Sequence, residues 1–334
     1  MDNLTHLRIC VEKPLKGEEH VMKQLSDRSN SQHHFKKLAA AFLTQKMWSN
    51  NTTITISFVA SPNTIKNVDW TPLAVLEGEK MNNGKPVHLD PIEKEIRKLS
   101  PVEAIKKVVR ERIQPIVGLK FVFVPKGGYV RIGFNPNAGS YSLVGTDCIK
   151  STSETTMNFG WLDAGTIIHE FGHVLGMIHE HQNPRGKQIP WDDSKVYTWA
   201  RQTQGWDQTT TYHNIIERYK IDQINSSKYD KYSIMEYFFP SSLTTDHKGT
   251  PNNHMLSTED IKYISNQYPG GIQSPEEFYN GIYSTSSPSN GKLLYIAVGI
   301  TILLIIIRIF TKMRGTPLTQ DYKTWRTAHG AILS

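Results

Sequence analysis

The spacing of apolar positions divides the first half of the chain into recognisable elements. Residues 1–30 are polar and mixed in charge and open an N-terminal arm or regulatory segment taken to span 1–45. Within it, over residues 33–46, Phe35, Leu38, Ala39, Phe42 and Leu43 recur at helical spacing and predict a short amphipathic helix. Residues 52–59 (TTITISFV) are β-branched and alternating, which is a strand pattern. Residues 60–100, with Pro and Asn scattered through them, read as loop. A helix is predicted over residues 101–113. There Val102, Ile105, Val108, Val109 and Ile113 share a face, and Pro101 sits in the first turn, where its missing N–H is no loss. Residues 119–124 (LKFVFV) and 129–134 (YVRIGF) read as two further strands. The order strand, helix, strand, strand predicts a mixed sheet with a crossover helix packed on it.

A different pattern stands near the C-terminus. Residues 293–307 (LLYIAVGITILLIII) carry no charge; Arg308 interrupts, and Ile309 and Phe310 extend the run. As a helix, 293–310 rises about 27 Å, close to the ~30 Å of a bilayer's hydrocarbon core. Its apolar residues cover every face, and the stretch before it is rich in Ser, Gly and Pro. Residues 271–292 are therefore expected as a linker, 293–310 as a single transmembrane helix contacting lipid, and 311–334 as a basic tail.

Charge supports that division. The net charge is +7, but Lys292, Arg308, Lys312, Arg314, Lys323 and Arg326 against Asp321 place +5 of it in the tail region. The preceding residues are nearly neutral, which argues against a nucleic-acid groove on the folded part; no nucleic-acid partner is expected. Two cysteines, Cys10 and Cys148, cannot build a disulfide framework or a cysteine-only metal site. The side of the membrane stays open. The basic tail favours a domain outside the cytosol. The polar N-terminus, without a secretory pattern, and the scarce cysteines tip the balance slightly toward a cytosolic domain with a C-terminal anchor. Glycosylation at Asn3, Asn50, Asn51 or Asn225, each in an Asn-x-Ser/Thr triplet, would reverse that preference.

The candidate chemistry is concentrated in residues 163–184, DAGTIIHEFGHVLGMIHEHQNP. His169 and His173 stand four apart, about 40° round a helix and one turn along it, so both imidazoles can reach one zinc ion. His179 would point away on an unbroken helix. Gly176 removes the difficulty, because glycine can take positive φ, end the helix and swing the chain back. Three neutral protein ligands leave a further position on the metal for water, the mark of a catalytic site. Glu170, beside the first ligand, is placed as general base, taking a proton from water and passing it to a leaving amine. The apolar residues between the ligands (Ile167, Ile168, Phe171, Val174, Leu175, Ile178) indicate a buried helix, and buried histidines need partners.

HEFGHVLGMIH resembles the extended zinc signature of the metzincin peptidases, and Glu180 after the third histidine is similar to the astacin branch. Ser233-Ile-Met-Glu-Tyr237 is similar to the Met-containing turn of astacin-like members, and Leu256-Ser-Thr-Glu-Asp260 to the start of their last catalytic-domain helix. Residues 141–147 look like the edge strand and turn before the zinc helix, where an extended substrate would pair. The resemblance implies an α+β, zincin-like catalytic domain over residues 46–270, with a twisted mixed sheet, two long helices and a zinc cleft. It implies one catalytic Zn²⁺ on His169, His173 and His179, with Met235 as an apolar floor beneath the ligands and Tyr237 stabilising the oxyanion. It departs from astacins at Asn183, Pro184 and Arg185 and in its cysteine content. The expected function is a membrane-anchored zinc endopeptidase acting on protein or peptide substrates. The alternative is a non-catalytic, zinc-stabilised binding module tethered to a membrane.

Overall fold

A computed structural model of the protein describes residues 41–60, 62–66, 68–78, 89–221, 224–226 and 228–286. The chain divides into two units, 1–282 and 283–334, and the elements that build the fold lie in the first. Its strands are β1 (Ala41–Leu43), β2 (Thr53–Phe58), β3 (Lys120–Phe123), β4 (Val130–Gly133), β5 (Tyr141–Ser142), β6 (Met157–Asn158) and β7 (Ile224–Ser226). Its helices are α1 (Pro62–Lys66), α2 (Leu73–Gly78), α3 (Ile92–Ile96), α4 (Pro101–Val108), α5 (Asp147–Lys150), α6 (Ala164–Val174), α7 (Asp193–Gln204), α8 (Gln208–Thr211), α9 (Thr258–Gln267) and α10 (Pro275–Ser286).

Five strands form one sheet in the order β3-β2-β4-β6-β5. β3, β2, β4 and β6 run parallel, and β5 closes one edge antiparallel to β6, with Tyr141 opposite Asn158 and Ser142 opposite Met157. The mixed sheet and its crossover helix are as the pattern predicts. The helix begins as expected: Ser100 caps it by accepting from the Glu103 N–H, and Pro101 takes the first helical position. It then continues beyond α4 as a wider turn through Val109–Ile113 and a tight one through Gln114–Ile116.

One apolar core joins Ile54, Ile56 and Ile132 of the sheet to Ala104, Ile105 and Val108 of α4 and to Ile167, Ile168 and Phe171 of α6. Burial of each large apolar side chain contributes roughly 1.5–3 kcal/mol, so this core fixes the zinc-motif helix against the sheet. A second core gathers Trp161, Val196, Trp199, Ile215, Phe239 and Leu243 around Tyr237.

Three expectations are corrected. The stretch 271–292 is not all linker, because α10 occupies Pro275–Ser286 and buries Phe278 and Ile282 in the main core. Residues 41–46 do not continue an amphipathic α-helix: 41–43 form β1, paired antiparallel with β7, and 44–46 a single 3₁₀ turn. Pairing with a strand some 180 residues distant overrides the local helical spacing; residues 33–40 lie outside the described residues. The stretch 60–100 is not all loop, because α1, α2 and α3 fall within it. Each is one or two turns long, too short for a periodic apolar face to show. Among the described residues no helix is long and apolar enough to cross a membrane, and the run 293–310 lies outside them.

Candidate metal centre

The helix that carries the first two histidines is pinned at both ends. At its start Asp163 caps α6, accepting from the Thr166 N–H at 2.8 Å while Thr71 donates to its other oxygen at 2.7 Å. Glu93 reaches across from α3 to accept the Ala164 N–H at 2.6 Å. Both carboxylates suit the positive end of the helix dipole. At its end Gly176 has φ 98°, as the motif requires. The Gly176 N–H returns to the His173 carbonyl at 2.8 Å and the Met177 N–H to the Gly172 carbonyl at 3.0 Å. That pair of bonds is a Schellman turn, and it directs the chain so that His179 faces the helix it has just left.

His169, His173 and His179 converge, their candidate ligand atoms all lying within 4.8 Å of one another. The Nε2 atoms of His173 and His179 are 3.0 Å apart. His169 Nδ1 faces the Ile234 carbonyl at 2.8 Å, and His173 Nδ1 faces the Met177 carbonyl at 2.9 Å. A carbonyl only accepts, so both rings carry their proton on Nδ1 and turn an Nε2 lone pair inward. His169 Nε2 is buried and has no hydrogen-bond partner among the described residues. Burial pushes the imidazolium pKa down to about 4 for His169 and about 3 for His173, and holds that of His179 well below the usual range. All three are neutral at pH 7, the form that binds metal. Three imidazole nitrogens with oriented outer partners and an unsatisfied buried lone pair fit zinc.

The other expected residues surround this cluster. Glu170 is fully buried beside His169. The Tyr237 ring lies 4.1 Å from that of His179 and stacks on that of His169 at 5.7 Å, centroid to centroid. Met235 is buried against α6. A Cβ at Gly172 would sit 2.4 Å from its sulfur, so any side chain there would displace the methionine from its place beneath the helix. Cys148 is a buried free thiol, its pKa pushed up to about 12 by desolvation; Cys10 lies outside the described residues.

Three contributors were not foreseen as parts of the site. Gly172 is one. Asp260 is another: it forms a capping box with Ser257 at the start of α9, and the same carboxylate accepts from the Ser233 hydroxyl and the Ile234 N–H, each at 2.7 Å. It therefore holds the methionine turn whose Ile234 carbonyl orients His169. Its place in the Leu-Ser-x-x-Asp segment signals the cap, and nothing in that segment signals the second task. The third is His181, whose buried ring stacks on that of Tyr237 at 5.1 Å and donates from Nε2 to the Asn214 carbonyl at 3.1 Å. Its position two after a ligand marks it as close, without marking what it touches.

Comparisons with known proteins agree with this geometry. Residues 100–268 match the model of the peptidase family described as Astacin. A zinc metalloproteinase of Caenorhabditis elegans, nas-24, is 30% identical over 145 residues, covering 41% of this chain and 33% of its own. The chain thus matches about a third of the length of that curated relative. A solved structure of myroilysin is 31% identical with a TM-score of 0.52, covering 70% of this chain and 100% of its own. A hatching enzyme zinc-protease of Oryzias latipes, high choriolytic enzyme 1, is more distant, at 15% identity and TM-score 0.36 over 66% of this chain and 94% of its own. The departures at Asn183, Pro184 and Arg185 do not take the protein outside the group its zinc motif and methionine turn resemble. With half its length matched, the whole metal centre included, this chain belongs to the astacin family.

Proposed function

We propose that the protein is a zinc-dependent endopeptidase that hydrolyses peptide bonds of protein or peptide substrates. The observation that carries this reading is the convergence of His169, His173 and His179, buried and neutral, with Glu170 and Tyr237 at the same place. His169, His173 and His179 hold the zinc ion. Bound there, zinc supplies a Lewis acid that polarises the scissile carbonyl and acidifies water. Glu170 takes the proton of the attacking water and delivers it to the leaving nitrogen. Tyr237 donates its hydroxyl to the oxygen on which charge develops. The catalytic domain is read as residues 46–270 together with β1, whose Leu43 N–H reaches the Gly176 carbonyl, and the residues that precede β1 as an arm or regulatory segment.

The alternative is a zinc-stabilised binding module. Glu170 and Tyr237 favour the peptidase, because neither is needed to hold a metal. The two readings separate in one comparison: the purified chain and Glu170→Gln, each loaded with zinc, incubated with a peptide library. Cleavage by the first alone supports the peptidase. Zinc bound by both with no cleavage by either supports the module.

We further propose that residues 293–310 hold the enzyme at a membrane as a single-pass helix, so that it meets lipid as well as substrate. The uncharged run over 293–307 supports this, as does the basic tail after it. Extraction of the expressed chain from membranes by alkaline carbonate would contradict the anchor. Protection of the catalytic domain from added protease in sealed vesicles would identify its side.

A further inference from the structure

The carbonyls at the end of α6 are taken one by one by four donors from three separate parts of the chain. The His173 carbonyl accepts the Gly145 N–H at 2.8 Å as well as its Schellman partner. The Val174 carbonyl accepts the indole N–H of Trp48 at 2.6 Å. The Leu175 carbonyl accepts the Tyr268 hydroxyl at 2.5 Å. The Gly176 carbonyl accepts the Leu43 N–H at 3.1 Å. The last carbonyls of a helix lack intrahelical partners, and water commonly satisfies them. Here they are buried, and the two side-chain donors are buried with them. Those two donors are also joined, since the Tyr268 oxygen accepts the backbone N–H of Trp48 at 3.3 Å. Desolvation holds the Tyr268 phenol well above its usual pKa, so it remains a donor throughout the working range.

This group of bonds brackets the exit turn from which His179 is presented. One residue beyond it, the Met177 carbonyl orients His173; two residues further stands His179. We infer that Trp48 and Tyr268 are positioning residues that aim the third zinc ligand, acting through the Val174 and Leu175 carbonyls and touching neither metal nor substrate. The inference rests on the metal reading proposed above and adds two residues to it, one from the segment before β2 and one from the C-terminal end of α9. Removing either donor leaves a buried carbonyl unsatisfied and frees the turn to shift. An error of a few tenths of an ångström there moves the His179 nitrogen relative to the other two.

The test uses the full chain and the variants Trp48→Phe and Tyr268→Phe, which keep an aromatic ring and delete the donor. Tyr263→Phe is the control. Its side chain is also buried, and its hydroxyl also donates to a carbonyl, that of Asn225, which is not part of this turn. Zinc affinity is measured by competition with a chromophoric chelator, and ligand geometry by the visible absorption of the cobalt-substituted protein. Loss of outer-shell support weakens metal binding about 10–100-fold. Each clamp variant is therefore expected to raise the zinc dissociation constant at least about tenfold and to shift the cobalt bands, while Tyr263→Phe leaves both as in the parent. Wild-type affinity and spectra in either folded clamp variant overturn the inference, and so does an equal change in Tyr263→Phe. If one clamp variant does not fold, the other decides alone. If the parent binds no zinc, or binds it equally after His179→Ala, the metal reading falls and takes this inference with it. An intact parent site with unaffected clamp variants removes the inference alone.

Discussion

Glu170 sits fully buried between two candidate ligands in the sequence, where the proposed mechanism gives its carboxylate the movement of a proton. Glu170→Gln keeps the shape and removes the base. It is expected to lower kcat by about 10²–10⁴-fold while zinc content per chain, read by atomic emission, stays unchanged. Tyr237→Phe keeps the ring contacts with His169 and His179 and removes one donor. A loss of about 10²–10³-fold in kcat with little change in KM is expected in steady-state kinetics on a peptide substrate. An equal loss carried mainly by KM would place Tyr237 in substrate binding instead. Cys148 has the opposite character. Its burial and raised pKa, about 12, keep it a thiol at pH 8, so iodoacetamide should modify it only in denaturant, as mapped by peptide mass spectrometry.

At the scale of elements, function depends on how α6 ends and on how the methionine turn is held. Gly176→Ala puts a Cβ at φ 98°, where an L-residue is strained by about 1–2 kcal/mol. Thermal unfolding should register that cost, and zinc affinity should fall with it, because the same turn presents His179. Asp260→Ala removes the acceptor of the Ser233 hydroxyl and the Ile234 N–H together. Leaving them unsatisfied in a buried turn should destabilise the protein by about 3 kcal/mol in urea unfolding. The zinc helix was legible in the sequence because its apolar positions and its three histidines obey one geometry, and because Gly176 marks its end. Gly172 and the second task of Asp260 were not. Each is set by a close approach between segments some 60 and 26 residues apart, which local pattern does not encode.

Over the whole molecule the same division holds. β2, β3, β4 and α4 follow from alternation, β-branching and a proline-opened apolar face, and together they predict the mixed sheet. β1 does not, since its partner β7 is remote and its own spacing is helical. The short helices α1 to α3 carry too few residues for a period. The Trp48 and Tyr268 donors illustrate why the site is a property of the fold as well as of its motif: they stand 126 and 93 residues from the carbonyls they hold. The most direct test of the account is the rate at which the purified chain hydrolyses an unfolded protein, measured with zinc, after removal of zinc by a chelator, and after zinc is restored. A zinc peptidase with Glu170 as its base gives cleavage that disappears on chelation, returns with zinc, and is absent in Glu170→Gln throughout. Cleavage that survives chelation, or that Glu170→Gln performs as well as the parent, would contradict it.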